Sequence, residues 1–436
     1  MTTETGELQA TQGGTGAETL TIIDNRTGLS YEVPIKDGTI RATELRKIKV
    51  GDDDFGIMTY DPAYMNTASC RSAVTFIDGE RGILEYRGYP IEELAEKSTY
   101  LEVAYLLVHG KLPTQQELDA WTNVIRMHTF VHEDIREFIK GFRYDAHPMG
   151  MLEALVGALS TFFPEASQVK DPVLREIQVD RLLAKMPTLA AFAYRHRLGM
   201  PLVYPDNELS YAANFLSMLF RSSETHYEPD PRLEHALDVL FILHADHEQN
   251  CSTSAVRSVG SSQVNPFSAV ASGIAALYGP LHGGANEEAW KVLEQVGSPD
   301  KAEAWIQDAL ARKERIMGFG HRVYKTGDPR ARILKQHCIA LAKEVGEDKW
   351  ERIAEPIEQA VTSQKNLPPN VDWPSARLYH YMGLEIEIYT PIFAMARVAG
   401  WAAHIIEQLD HNRLMRPRAI YTGPPHRAVK PIEQRS

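Results

Sequence analysis

Apolar residues along this chain follow two patterns, and the change from one to the other comes early. Leu20 and Ile22 alternate with polar neighbours, NRTG at 25–28 is turn-forming, and Tyr31 and Val33 resume the alternation, which predicts two short strands around a turn. A second hairpin is predicted in SAVTFIDGERGILEYRGY at 72–89, where apolar runs flank the loop DGERG. Beyond about Pro90 the spacing is helical nearly throughout. In IEELAEKSTYLEVAYLLVHG, Ser98 or Thr99 is placed to cap a helix carrying Leu101, Ala104, Tyr105 and Val108, and Gly110 ends it. Further helices are predicted near 151–163, 181–198, 209–221, 232–247, 266–278, 286–296, 301–315, 329–345, 348–363 and 389–411. The segments near 152–163 and 390–406 are apolar on most faces, as in helices buried inside a large bundle. Many helices behind one small β portion, with neither a fixed-period repeat nor a βα alternation, predict an all-α fold and disfavour a Rossmann sheet.

Composition narrows the partners. The 436 residues suggest two or three domains, and 44% hydrophobic with 24% charged residues is the mixture of a folded protein. Residues 1–18, rich in Thr and Gly, predict a disordered tail. Acidic residues (58) outnumber basic ones (46), and the net charge of −12 repels phosphate backbones, so nucleic acid is not an expected partner. A local arginine cluster can still hold an anionic metabolite at short range. Cys70, Cys251 and Cys338 are too few and scattered for a disulfide framework or a CxxC zinc site, which fits a reducing compartment. The polar, acidic start MTTETGELQATQGGTGAET has no apolar h-region, so neither signal nor transit peptide is expected. The segment Val398 to Ile406 falls short of the roughly 18 apolar residues of a spanning helix. No membrane span is expected, and the expected location is cytoplasmic.

Three clusters combine glycine, histidine and charge: LHADHEQN at 243–250, GPLHGGAN at 279–286 and GFGHRVYKTGDPR at 318–330. His244, His247 and Glu248 have helical spacing and could share a face toward a metal, or mark a helix end whose dipole favours histidine. No third ligand follows locally. Neither glycine cluster continues into GK followed by Ser or Thr, and GFGHRV lacks the third glycine of GxGxxG, so phosphate-loop readings fail. Each instead sets a histidine beside backbone that glycine leaves open to a ligand. In PPNVDW at 368–373, Asp372 stands at the start of a helix, where an aspartate is most often a cap. Arg330, Arg397 and Arg416 sit among apolar or conformationally fixed residues. Arg397 interrupts an otherwise apolar helix, where a charge costs several kcal/mol unless paired with an internal carboxylate or a bound anion.

Together these segments resemble the citrate synthase family from about Leu20 to Gly423: LHADHEQN, GPLHGGAN, GFGHRVYKTGDPR, NVD and RPRAIYTG stand in the family's order. The resemblance implies condensation of acetyl-CoA with oxaloacetate and water to citrate and CoA, without metal or redox cofactor. By position it makes Asp372 the base that deprotonates the acetyl methyl group, and His282 the donor to the developing enol or enolate. His282 would be a neutral imidazole, its pKa lowered by the positive end of the following helix. His321 would polarise and then protonate the ketone of oxaloacetate.

The resemblance also implies that His247, Arg330 and Arg397 bind oxaloacetate or citrate, with His244 at the edge of the site. Arg416 resembles the arginine that reaches into a neighbouring subunit's site, so the minimal active unit would be a homodimer. Met317, Gly318, Phe319 and Gly320 resemble the adenine-recognition loop for CoA, and Lys325 and Lys365 stand where the family often places phosphate-binding cations. The implied domains are an N-terminal β region at 19–65, a large helical domain at 66–284 and 389–436, and a smaller mobile helical domain at 285–388. The N-terminal portion is similar to that of larger bacterial members, many of them hexamers and some inhibited by NADH. His128, Thr129, Arg181 and Lys185 resemble parts of that NADH site. Met127, Phe163 and Glu224 stand where sensitive members have arginine, tyrosine and cysteine, so weak or absent NADH inhibition is expected. WPSA at 373–376 also departs from the more usual aromatic, Tyr or His, Ser, Gly.

A 2-methylcitrate synthase, which prefers propionyl-CoA, shares the fold and the catalytic residues. One methylene is worth about 1 to 3 kcal/mol of discrimination, so pocket shape decides between them. Two alternatives from other classes are a metal hydrolase built on HxxHE and a helical assembly protein without activity. The first lacks its third ligand, and the second has no need of His282, His321 and Asp372 together.

Overall fold

The protein, described by a computed structural model over residues 16–222 and 227–435, divides into two compact units at Arg71 and Ser72. Most of the tail expected over 1–18, and Glu224, lie outside the described residues. The first unit holds the first hairpin. Strand β1 (Thr19–Asp24) pairs antiparallel with β2 (Leu29–Lys36), setting Leu20 opposite Val33 and Ile22 opposite Tyr31, and a short β3 (Thr39–Ile40) extends the sheet.

The second unit opens with the second hairpin, β4 (Thr75–Asp78) against β5 (Ile83–Tyr86), joined by β6 (Tyr89–Pro90). The regular elements after it are helices. The first helices are α1 (Ile91–Lys97), α2 (Tyr100–His109), α3 (Gln115–Met127), α4 (Glu133–Ile139) and α5 (Pro148–Leu159). Then come α6 (Pro172–Arg197), α7 (Tyr211–Phe220), α8 (Pro231–His244), α9 (Cys251–Gly260) and α10 (Pro266–Tyr278). The chain continues through α11 (Ala285–Val296), α12 (Pro299–Ala311), α13 (Pro329–Val345), α14 (Lys349–Lys365), α15 (Asp372–Tyr381) and α16 (Tyr389–Asp410).

Local chemistry sets the ends of these helices. Thr99 caps α2 in a reciprocal box with Glu102, worth about 1 kcal/mol, and Gly110 closes it with φ 80°. The expected helix at 232–247 stops at His244, so His247 and Glu248 lie in the loop that follows, and the shared helical face imagined for HxxHE does not exist. Among the described residues no group of three or more His, Cys, Asp or Glu side chains is placed to hold a metal ion.

Helix α16 is the axis of the core. Almost every side chain from Tyr389 to Ile405 is buried, and the helix packs against α2, α6, α8, α9 and α10, which is why its sequence is apolar on all faces. Helices α11 to α15 pack on one another, α13 on α15, α12 on α14 and α11 on α15. The architecture is all-α with small sheets at its start. Among the described residues no helix is long and apolar enough to cross a membrane.

Candidate active site

Six segments meet around a buried group of histidines and arginines: the end of α8, the loop to α9, the turn before α11, the loop before α13, the start of α15 and the middle of α16. His244, the last residue of α8, is fully buried. Its Nδ1 bonds the Leu240 carbonyl (2.9 Å), its Nε2 has no partner among the described residues, and its ring meets Phe393 edge-on at 4.4 Å. His247 lies 3.1 Å through Nε2 from the Tyr324 hydroxyl, and its ring is 5.0 Å from that of His321. Burial and then the charge of Arg330 hold both His244 and His247 far below the ordinary imidazole pKa.

The tautomers of the two half-buried histidines follow from their partners. The Ser252 backbone N–H, in the first turn of α9, donates to His282 Nε2 (3.2 Å), and the Ser252 hydroxyl lies 2.8 Å from the same nitrogen. Nε2 is therefore the acceptor, and Nδ1–H is left as donor. In His321 the order is reversed: Nδ1 accepts from the N–H groups of Val323 (3.0 Å) and Tyr324 (3.3 Å), which leaves Nε2–H to donate. Burial pushes His282 down to about 3, with a smaller contribution from Arg397, and His321 down to about 4, with Arg330 adding to it. Burial and the nearby Arg397 guanidinium thus lower His282 in the direction expected of it.

Arg330 is held where its sequence position suggests. Asp328 caps α13 and takes the Arg330 Nε (2.9 Å) and Nη2 (2.7 Å) in a bidentate pair, both side chains buried. Burial pulls the Arg330 pKa down, but Asp328 outweighs it and the net shift is upward.

Arg397 differs. It is 1% exposed, its Nε donates to the His244 carbonyl (2.7 Å), and both Nη1 and Nη2 are buried without a partner among the described residues. Its guanidinium stands over the Phe393 ring at 4.9 Å, and burial lowers its pKa to about 10. A buried guanidinium with two unpartnered nitrogens has donors free to take an anion.

Asp372 is the first residue of α15, not its cap; Val371 holds the cap position. Its Oδ1 is buried without a partner among the described residues, and burial pushes the carboxyl up to about 7 against the pull of Arg330. The loop at 317–320 is tied to this corner. Phe319 bridges Pro369, Gly320 N–H donates to the Pro368 carbonyl (2.9 Å), and Asn370 N–H to the Gly318 carbonyl (3.0 Å). Trp373, from the divergent WPSA, packs 4.8 Å from Phe319 and donates to Glu358 (3.0 Å).

His244, His247, His282, His321, Arg330, Arg397 and Asp372 thus form one electrostatically linked cluster, beside Met317 to Gly320. Three expected residues stand apart from it. Lys325 is exposed and paired with Glu80, Lys365 is exposed at the end of α14, and Arg416 is exposed in the irregular segment after α16. The sequence reading missed Ser252, Tyr324 and Trp401. Trp401 Nε1 also donates to Ser252 Oγ (3.2 Å), so α16 steadies the serine that orients His282. For Ser252 the available signal was its place two residues after Asn250, a good capping residue.

Comparison with known proteins gives the family of the chain. The family described as citrate synthase, C-terminal domain, matches residues 63–418. A citrate synthase of Dictyostelium discoideum is 48% identical over 431 residues, covering 96% of this chain and 84% of that protein. A peroxisomal citrate synthase of the same organism is 45% identical over 432 residues, covering 96% and 88%. The citrate synthase of Thermoplasma acidophilum, solved as a ternary complex with carboxymethyl coenzyme A and oxaloacetate, superposes with a TM-score of 0.79 at 33% identity, covering 85% of this chain and 98% of that one. The all-α architecture and these matches agree: the chain belongs to the citrate synthase family.

Proposed function

We propose that His282, His321 and Asp372 divide between them the condensation of acetyl-CoA with oxaloacetate. The observation that carries this reading is Arg397, buried with two unpartnered nitrogens among three histidines, since a dicarboxylate supplies the charge it lacks. The Asp372 carboxylate takes a proton from the acetyl methyl group. The electron pair left behind forms an enol or enolate whose oxygen accepts a hydrogen bond from His282 Nδ1–H. That carbon attacks the ketone carbon of oxaloacetate, and the ketone oxygen takes its proton from His321 Nε2–H. Water then cleaves the thioester, releasing CoA and citrate. Both histidines suit these tasks as neutral donors, since their pKa values of about 3 and 4 keep them uncharged near neutral pH.

Arg330, Arg397 and His247 bind the carboxylates in this reading. Met317 to Gly320 receive the adenine of CoA, with Lys325 and Lys365 near its phosphates once Lys325 leaves Glu80. The chemistry calls for neither metal nor redox cofactor. Arg416, exposed on its own chain, completes the site of a neighbouring subunit, so the minimal active unit is a homodimer; a hexamer would be a trimer of such dimers, and the mass of the assembly in solution decides between the two. Helices α11 to α15 form the smaller domain that closes over the substrates and excludes water until condensation is complete. The location is the cytoplasm; one close relative is named as peroxisomal, which makes imaging of the tagged full chain the deciding observation.

Regulation by NADH is weak or absent in this reading, because the cations of that region are used internally. Arg181 lies over the Phe163 ring at 4.1 Å and pairs with Glu165, while Lys185 donates to the carbonyls of His128 (2.7 Å) and Phe130 (2.5 Å). Met127 is 80% exposed and carries no charge. Strong inhibition at saturating NADH, relieved by acetyl-CoA, would show the opposite.

The function is tested by thiol release from acetyl-CoA and from propionyl-CoA, with and without oxaloacetate. Release that needs oxaloacetate and favours acetyl-CoA is the expected result. A preference for propionyl-CoA would make the protein a methylcitrate synthase with the same machinery, and no release with either from folded protein would refute the reading.

A further inference from the structure

The loop at 245–250, which carries His247, is held by one face of α16. Arg397 Nε donates to the His244 carbonyl (2.7 Å), the Gly400 N–H donates to the Ala245 carbonyl (3.1 Å), and His404 Nε2 lies 3.2 Å from the Asp246 carboxylate. Positions 397, 400 and 404 share that face by helical spacing. The approach is close enough that a Cβ on residue 400 would fall 2.3 Å from Asp246 Oδ1, so this contact requires glycine.

Asp246 itself is fully buried. Its Oδ2 accepts from the Thr75 hydroxyl (2.5 Å) and from the Glu248 N–H (3.0 Å). Glu248 has φ 50°, a left-handed conformation that a non-glycine residue adopts only when its surroundings hold it there. Behind Asp246, His404 Nδ1 faces Arg257 Nη1 at 3.0 Å, and a guanidinium only donates, so His404 Nε2–H is left to donate to the carboxylate. Arg257 is anchored in turn by Glu407 (2.8 Å). Burial raises the Asp246 pKa, but His404, Arg397 and Thr75 outweigh it and the carboxyl stays below its ordinary range. Burial works against the charge of Arg397, and Asp246 is the largest influence opposing it.

We propose that Asp246, backed by His404 and Thr75, is a positioning residue for oxaloacetate: it fixes the turn that aims His247 at the substrate. The proposal rests on the reading of His247 and Arg397 as carboxylate-binding residues. Thr75 and His404 touch no substrate in that reading; the Thr75 hydroxyl acts through Asp246, and His404 through Asp246 and the Arg257 behind it.

The test measures oxaloacetate affinity by calorimetry, and both KM values and kcat, on the intact enzyme and on Thr75→Val, Thr75→Ser, His404→Gln and Arg397→Lys. Thr75→Val and His404→Gln are expected to weaken oxaloacetate binding about tenfold, the loss of one buried hydrogen bond, and to leave the KM for acetyl-CoA within about twofold. Thr75→Ser keeps the hydroxyl and is expected to bind as the wild type does. A merely structural role would lower the melting temperature without separating the two KM values, and that result overturns the proposal, as does unchanged oxaloacetate affinity in folded variants. If either variant fails to fold, Asp246→Asn supplies the same comparison. Unchanged affinity in Arg397→Lys as well would mean that the underlying reading of the site has failed; loss there alone would mean that only the positioning role has.

Discussion

Replacing Arg397 by methionine separates function from stability. In the proposed complex the two idle nitrogens hold a substrate carboxylate, and breaking a buried ion pair costs about 3 to 5 kcal/mol, a factor of about 100 to 4,000 in oxaloacetate affinity. In the substrate-free enzyme the same change removes a buried charge whose desolvation costs several kcal/mol. Against that gain stands one lost hydrogen bond, Nε to the His244 carbonyl, at about 1 to 3 kcal/mol. Asp246, the carboxylate nearest in influence, keeps Thr75 and His404 as partners. The expected outcome is a variant about as stable as the wild type, or more so, that has lost nearly all affinity for oxaloacetate. Calorimetric titration and thermal unfolding read the two halves separately. Binding within tenfold of wild type would refute the anion-site argument, and a loss of more than about 3 kcal/mol of stability would show that the guanidinium is structural.

The pH profile tests the base. With Asp372 raised to about 7 by burial, its carboxyl keeps its proton below that value, so kcat/KM for acetyl-CoA should fall about tenfold per pH unit on the acid side. His282 and His321, at about 3 and 4, add no acid limb above pH 5, so a profile flat from pH 9 to 5 would contradict the assignment. Gly318→Ala tests the loop at 317–320. That residue has φ 89°, and a Cβ would stand 2.9 Å from the Trp373 ring, so the variant should lose about 1 to 3 kcal/mol of stability and raise the KM for acetyl-CoA while binding oxaloacetate normally. Equal effects on both substrates would argue against a role for this loop in CoA binding.

The parts of the fold legible in sequence were those with strong local chemistry. The hairpins carried alternation and turn residues, α2 carried Thr99 and Gly110, and α16 declared its burial through unbroken apolarity around Arg397. Helix α3 is equally signalled by Thr114 and Glu117, which form a capping box, but its run is half polar and buries only Trp121 and Ile125, so little of it reads as core. Helix α9 was harder. CSTSAVRSVG has few apolar residues and several that compete for backbone hydrogen bonds, and it is helical because Asn250 caps it and α10 and α16 cover it. The same tertiary override explains HxxHE, where spacing suggested one helix face but the chain turns at Ala245 to meet Gly400. In the site, histidines beside glycines and an arginine in an apolar helix stood out by residue type. Ser252 and Asp246 did not, because their work lies in contacts with residues far away in sequence.

The most direct measurement of the central claim is Asp372→Asn, assayed for thiol release from acetyl-CoA alongside calorimetric binding of oxaloacetate. The variant keeps the size of the side chain and removes only its ability to take a proton. A fall in kcat of about 100- to 10,000-fold, with oxaloacetate affinity within about twofold of wild type, is the expected result. A kcat within tenfold of wild type would contradict Asp372 as the base and with it the division of chemistry proposed for this site.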